Sequence, residues 1–221
     1  MKKIINFAEM AYVLGLIILA LGVALMEKAD LGISMVVAPA YLISLKVSFL
    51  TFGMAEYTLQ AVLLVFVCLV LRQFKLSYCF SFVTAVIYGV ILDGWIWSLR
   101  DVVAGTLSVR IPLYLLGMLL CAMGISLLFH TYLSPEVYEL FVKEVSKKYH
   151  IDINKFKIAY DCTSCAVAIA MSYLFFHSLR GVGIGTVICA LVNGIIIGQC
   201  SKFFEKYIDF SPKFPLAKYF E

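Results

Sequence analysis

Charge is scarce in this chain. Only 14% of its 221 residues are Asp, Glu, Lys or Arg, against about a quarter in an ordinary soluble domain. Histidine occurs three times, proline five times and tryptophan twice. There is no H-E-x-x-H pair, no glycine-rich phosphate loop and no nucleophile elbow, so neither a zinc hydrolase nor an ATPase is indicated. Nothing in the chain points to an enzyme, a cofactor or a catalytic residue.

Hydrocarbon fills the space that charge leaves, with 63% of residues hydrophobic. Crossing a bilayer core of roughly 30 Å takes about 20 apolar residues. Six stretches reach or approach that length, at about 8–27, 54–72, 76–98, 111–132, 157–179 and 181–201. They leave no room for a separate soluble domain, and the whole chain, 1–221, reads as one all-α integral membrane domain. Lys2 and Lys3 before the first run imitate a secretory signal, but Leu25-Met26-Glu27-Lys28 offers no small-residue cleavage site. The first run is therefore expected to be a retained helix.

The scarce charges are unevenly placed. With an inside N-terminus and six crossings, thirteen Lys and Arg fall in inside segments. Lys28, Lys46, Arg100, Arg110 and Arg180 are the five outside. That bias predicts cytoplasmic termini and a multi-pass protein of a bacterial inner (plasma) membrane. Anionic lipid accounts for the net charge of +4, and nucleic acid is not needed as a partner.

The chain also repeats itself. Gly15, Ala20 and Gly22 recur as Gly117, Ala122 and Gly124 at one offset of 102, and Ala85, Tyr88 and Gly89 stand opposite Ala190, Asn193 and Gly194. Two three-span halves, about 8–99 and 111–201, follow. Because three is odd, they enter from opposite sides and form inverted repeats of the kind found in many secondary transporters. Each half has a longer connection after its first span. In the second half, Ser134-Pro135-Glu136 is a helix start. Val137, Leu140, Phe141 and Val145 then make an apolar stripe opposite Glu139, Lys143 and Lys147, which predicts an interfacial helix. The counterpart, 32–53, is nearly uncharged and holds Pro39, so an outer interfacial or partly re-entrant helix is expected. If it spans instead, seven crossings result and the inversion fails. The tail, 202–221, mixes lysines with Phe203, Phe204, Tyr207, Phe210, Phe214, Tyr219 and Phe220 and reads as an interfacial anchor.

Gly22-Val-Ala-Leu, Ala29-Asp30-Leu31-Gly32-Ile33-Ser34, Leu133-Ser134-Pro135 and Gly181-Val-Gly-Ile-Gly-Thr186 together resemble the YczE/YyaS/YitT-type bacterial integral membrane proteins over about residues 12–200. That family is uncharacterised. The resemblance implies a membrane protein described as a transporter, without a substrate. Met35 replaces the proline usual after the first motif, and Glu136 only partly matches the acid expected after Pro135.

Polar groups in hydrocarbon need partners, so depth sorts them. At about 1.5 Å per residue, Asp93 falls near the outer end of the third span. Glu56 begins the second span outside, and Asp161 lies in the first turns of the fifth, inside. They read either as hydrated interfacial carboxylates or as a proton or cation relay. Tyr88 and Asn193 fall at mid-span and are counterparts in the repeat. Gln60 and Ser164 form a second such pair. Substrate sites of inverted-repeat carriers lie at that depth, so these four are the candidate substrate contacts, against the plainer reading of interhelical hydrogen bonds. The rows Gly185, Cys189, Asn193 and Ala190, Gly194, Gly198 suit close helix packing, within one chain or in a homodimer. Cys162 and Cys165 form a C-x-x-C beside Asp161, yet a zinc site needs further ligands and only His130 lies at similar depth. Burial is the plainer account of these cysteines, and no metal is expected. His177 to Gly181 reads as a tight outer turn, with Arg180 able to attract an anion.

The expected function is secondary transport of an unidentified small solute by alternating access. Tyr88, Asn193, Gln60 and Ser164 contact it, and Asp93, Asp161 and Glu56 couple protons or cations. The alternatives are a substrate-binding subunit of a larger transporter, or a non-transporting membrane partner docking through segment 134–157 and the tail.

Overall fold

A computed structural model describes residues 8–211; the side chains of Leu76 and Asn154 are not described, and Lys2, Lys3 and the tail beyond Ser211 lie outside the described residues. Eight helices follow one another: α1 (Ala8–Ala29), α2 (Ala38–Lys46), α3 (Phe52–Leu71), α4 (Leu76–Ser98), α5 (Leu107–Phe129), α6 (Val137–Tyr149), α7 (Ile153–Phe176) and α8 (Ile184–Tyr207). No strand occurs among them. The six longest, α1, α3, α4, α5, α7 and α8, are long and apolar enough to cross a membrane. The chain is therefore an all-α multi-pass membrane protein. α3, α5 and α7 begin before their apolar runs, and polar side chains cap two of them, Thr51 at α3 and Asp152 at α7. The Asp152 carboxylate accepts the Lys155 N–H at 2.9 Å, an N-cap that launches α7 at Ile153. At the other end His177 adopts φ 52° and stops the helix at Phe176. The Ser172 hydroxyl accepts the Arg180 N–H at 2.7 Å and donates to the Ser178 carbonyl, closing the tight 177–180 turn.

The core is the crossing of α1 and α5, where glycines remove the side chains that would hold the backbones apart. A Cβ on Gly22 would lie 2.7 Å from the Gly117 carbonyl and the Cys121 nitrogen. On Gly124 it would lie 2.7 Å from the Leu19 nitrogen and 2.8 Å from the Gly15 carbonyl. Gly117 meets Met26, and Gly15 meets Leu128. Adding or subtracting 102 exchanges the partners within each pair of contacts, as in a self-complementary two-fold interface.

α4 packs on α1 as α8 packs on α5, and α2 sits between α3 and α7 while α6 lies against α3, α7 and α4. The short helices stand after α1 and α5, where interfacial helices are expected, and both pack against the long helices. At its start, the α6 residue Val137 gives its N–H to Gln60 Oε1 at 2.9 Å. Near its end, Lys148 Nζ reaches the Val70 and Leu71 carbonyls at 2.8 and 3.0 Å. α6 thus runs beside the second half of α3, from mid-span to its end, with Val137, Tyr138, Leu140, Val142 and Val145 buried. The apolar stripe read as membrane-facing is spent on the protein. α2 is placed likewise: Lys46 Nζ donates to the Phe175 carbonyl at the end of α7 at 3.4 Å, and Val36 and Val37 reach the central cavity described below. Segment 32–53 therefore carries a short helix packed between α3 and α7, too short at nine residues to add a seventh span.

The described part of the tail also departs from a free anchor. Phe204 is buried with Ala11 and Leu127, and Phe210 stacks on His130 with centroids 4.7 Å apart.

Candidate functional site

The seam that joins α1 to α5 also opens a cavity of about 340 Å³ beside it. Leu19, Val23, Cys121 and Ile125 form one wall, and Ala190, Asn193, Gly194 and Ile197 of α8 form another. The starts of both short helices reach it, Ser34 to Val37 before and into α2, and Pro135, Glu136, Tyr138 and Glu139 at α6. Phe129, Lys157 and Ile158 line it toward the end where α5 stops and α7 begins.

The cavity lies where α7 and α8 stand apart, whereas α3 and α4 are closely packed. In the first half, Gly53 of α3 and Gly89 of α4 lie face to face, and a Cβ on Gly89 would come 2.7 Å from the Gly53 carbonyl. Between α7 and α8 there is no such contact, and Gly194 has nothing within 4 Å of where a Cβ would be. α7 and α8 stand apart, and the space between them belongs to the cavity.

At the opposite end the path is shut. The Gly185 N–H donates to the Leu31 carbonyl at 3.0 Å, and the Ile33 N–H donates to the Gly181 carbonyl at 3.0 Å. Gly32 has φ 118°, a conformation that favours glycine. A Cβ on Gly185 would lie 2.7 Å from both the Leu31 carbonyl and the Tyr114 ring. The glycines of segment 181–186 thus let the loop after α1 press on the start of α8. Arg110 reinforces this end, donating to the Ala29 carbonyl at 2.7 Å and to the Asp30 carboxylate at 2.8 Å. Beyond the plug lies a second, wider depression of about 1130 Å³, lined by Asp30, Tyr41, Leu107, Arg180 and Ile188 among others. The two hollows lie along successive turns of α8 with Gly185 and Tyr114 beside the closure.

The residues singled out from the sequence divide between this cavity and its surroundings. Tyr88 and Asn193 both line it, with 1% and 6% of their surface exposed. The Tyr88 hydroxyl and Asn193 Oδ1 are buried without a hydrogen-bond partner, a cost normally avoided inside proteins. Asp161 lines it as well, its carboxylate 3.4 Å from Lys157 Nζ.

Gln60 stands behind the cavity wall and is fully engaged. Its Nε2 donates to Glu136 at 2.7 Å and to Glu56 at 3.3 Å, while Oε1 holds the start of α6. Ser164 is half-buried beside the Tyr160 hydroxyl and does not line the cavity. Glu56 is buried completely, not hydrated at a surface as its place near a helix start would allow. Asp93 accepts from the Thr51 hydroxyl at 2.5 Å and from the Gly53 N–H at 2.8 Å, so it caps the start of α3 at the closed α3–α4 contact.

Glu136 and Glu139 are the functional candidates that sequence reasoning passed over, reading one as an acid at a helix start and the other as part of a polar face. Glu136 is 5% exposed. Burial, with Glu139 and Glu56 nearby, pushes its carboxyl well above the usual carboxylate range. A signal was present: at the offset of 102, Glu136 is the counterpart of Ser34, in the two segments that carry the Leu31-Gly32 and Leu133-Ser134-Pro135 motifs. Cys162 is exposed and Cys165 half-buried, neither in a disulfide. Among the described residues no group of three or more His, Cys, Asp or Glu is arranged to hold a metal.

A profile of one protein family matches residues 7–202, nearly the whole described chain. The chain belongs to DUF6198, a family of unknown function. No curated protein and no solved structure matches it. Membership of DUF6198 supports an uncharacterised family and does not single out the YczE/YyaS/YitT-type proteins that the motifs resemble. For a DUF6198 member, function has to be argued from the cavity.

Proposed function

We propose that this protein is a secondary carrier that moves a small solute along α8 by alternating access, with the cavity beside the α1–α5 seam as its binding site. One observation carries this reading: a central cavity, next to a self-complementary helix seam, holds the repeat counterparts Tyr88 and Asn193 with unpartnered polar atoms. In an inverted-repeat carrier the site belongs at mid-depth on the interface of the halves.

Further contacts support two inverted halves. Lys46 on the Phe175 carbonyl and Lys148 on the Leu71 carbonyl are counterpart bonds, one made from each half to the other. The Tyr12 hydroxyl at 2.8 Å from the Thr84 hydroxyl and Tyr114 beside Cys189 are counterparts within each half. The cavity reaches toward one end of the spans while the Leu31–Gly185 plug shuts the other. Under the charge bias of the loops, the open end is the cytoplasmic one. Glu56, Glu136 and Asp161 supply the buried carboxylates for proton or cation coupling, and Asp93 serves as a cap. A non-transporting partner docking through segment 134–157 is less favoured, because that segment buries its apolar face inside the protein.

The test is reconstitution of the full chain in vesicles, paired with melting of the detergent-purified protein against a broad solute panel. A solute that both raises the melting temperature and exchanges across the vesicle wall supports the carrier, provided Asn193→Ala loses both effects. If a folded protein is stabilised by solutes yet exchanges none of them, the carrier reading fails.

A further inference from the structure

The charge balance inside the cavity is lopsided. Glu136, Glu139 and Asp161 line it, and Lys157 is the one cationic side chain that does. Lys157 lies 3.4 Å from Asp161, although its field also reaches Glu139. Neither Glu136 nor Glu139 has an ion-pair partner among the described residues. The one side-chain bond to Glu136 comes from the neutral Gln60 amide. Glu136 is buried and Glu139 half-buried, and a carboxylate drawn out of water without a cation takes up a proton or acquires a positive partner.

An independent observation points the same way. Asn193 Oδ1 is an acceptor left without a donor, and Asn193 is more than nine-tenths buried on the wall of this cavity. An acceptor wants an N–H or O–H, and two carboxylates want positive charge. The opposite wall, Leu19, Val23 and Ile125, is hydrocarbon and would leave a bare metal cation without oxygen ligands. The start of α2 also faces the cavity through Ser34 to Val37. With the start of α6, which also reaches the cavity, the two positive helix ends amount to about one elementary charge, against the two that Glu136 and Glu139 carry when both are ionised.

Resting on the carrier reading above, we propose that the solute is a small organic monocation, an alkylammonium or alkylguanidinium, whose head binds between Glu136 and Glu139 and donates to Asn193 Oδ1. Its hydrocarbon part lies along Leu19, Val23 and Ile125. Without it, the carboxyls hold protons, and its arrival releases one, so solute and proton compete for the same charge. The groups facing Glu136 are Tyr12 of α1, Glu56 of α3, Tyr88 of α4, and Tyr138 and Glu139 of α6. Lys157 and Asp161 of α7 line the same cavity. Only Lys157 among them is cationic, and it is already beside Asp161.

The test uses an isosteric series on the full chain in detergent and in vesicles: alkylammonium and alkylguanidinium ions of one to eight carbons, the matched alcohols, and the matched carboxylates. The ammonium or guanidinium ions are expected to raise the melting temperature and bind at least about ten-fold more tightly than their alcohol and carboxylate isosteres. Their binding should tighten with rising pH, by up to about ten-fold per unit for one released proton. Glu136→Gln should weaken it at least about ten-fold; if that variant does not fold, Glu139→Gln and Asn193→Leu give the same reading. Carboxylates or alcohols that bind and exchange, with the cations inert, overturn the cation assignment and leave the carrier standing. Cations that bind tightly but exchange in no vesicle preparation overturn the carrier and leave the site. Failure of every cation in the series to bind a well-folded protein overturns the assignment outright.

Discussion

At the scale of single residues, Gln60 shows how a substrate candidate becomes a structural support once its neighbours are known. Its amide is shared between Glu56, Glu136 and the first N–H of α6, so Gln60→Leu leaves three buried polar groups unsatisfied. A loss of about 1–3 kcal/mol of stability is expected, read as an earlier denaturant midpoint in detergent. Ser164→Ala, at the half-buried counterpart, should change the midpoint by less than about 0.5 kcal/mol; equal losses would refute the support role. Glu136 carries a prediction about pH. Its folded carboxyl holds a proton that the unfolded chain releases in the ordinary carboxylate range. The associated stability is fully present below that range and is lost as pH rises through the raised folded value. Glu136→Gln keeps an acceptor for Gln60 and removes the titration. Between about pH 5 and about pH 9 its melting temperature should fall less steeply than that of the parent. Parallel curves would show that Glu136 does not hold the proton.

At the scale of elements, the spans were legible because each is a long apolar run. The glycines of the α1–α5 seam were legible as a repeat and not as a contact, and in the row Ala190, Gly194, Gly198 that was read as suited to close packing, Gly194 and Gly198 have nothing within 4 Å of where a Cβ would be. A Cβ at Gly22 would lie 2.7 Å from the Gly117 carbonyl, whereas Gly198 has nothing within 4 Å. Gly22→Leu is therefore expected to cost more than the roughly 1–3 kcal/mol of ordinary overpacking, because backbone rather than a side chain has to move. Gly198→Leu should melt within about a degree or two of the parent. Matching melting temperatures for the two variants would mean that the seam is not what holds the halves together. The short helices were not legible in the same way. α6 is amphipathic, and an amphipathic stripe fits a membrane surface and a protein groove equally well. Only long-range bonds separate the two, Val137 to Gln60 and Lys148 to Leu71, and no local pattern encodes them. The same blindness hid Glu139, which a helical wheel assigns to the polar face and the fold turns toward a cavity.

For the whole molecule, the unequal closing of the halves is the feature that composition and repeats could not foretell, since it lies in differences between counterparts. Gly53 meets Gly89 where α3 packs on α4, while α7 stands apart from α8 and Gly194 is left uncovered. If the two halves exchange roles during transport, the cavity that now reaches toward Phe129 and Lys157 has to become reachable past Leu31 and Gly185. A cysteine placed at Gly194, in a background with the native cysteines replaced, reports on both routes. A membrane-impermeant maleimide should label it quickly from the side on which α5 ends and α7 begins. Labelling from the other side should be slower, because it waits for the plug to lift, on a timescale of microseconds to seconds for openings of this kind. Gly32→Val forces a branched side chain into a left-handed backbone position and weakens the plug, so it should speed the second labelling and leave the first unchanged. A cavity labelled from one side alone, with Gly32→Val still closed to the other, would mean a fixed pocket in a static bundle, and transport along α8 would have no route.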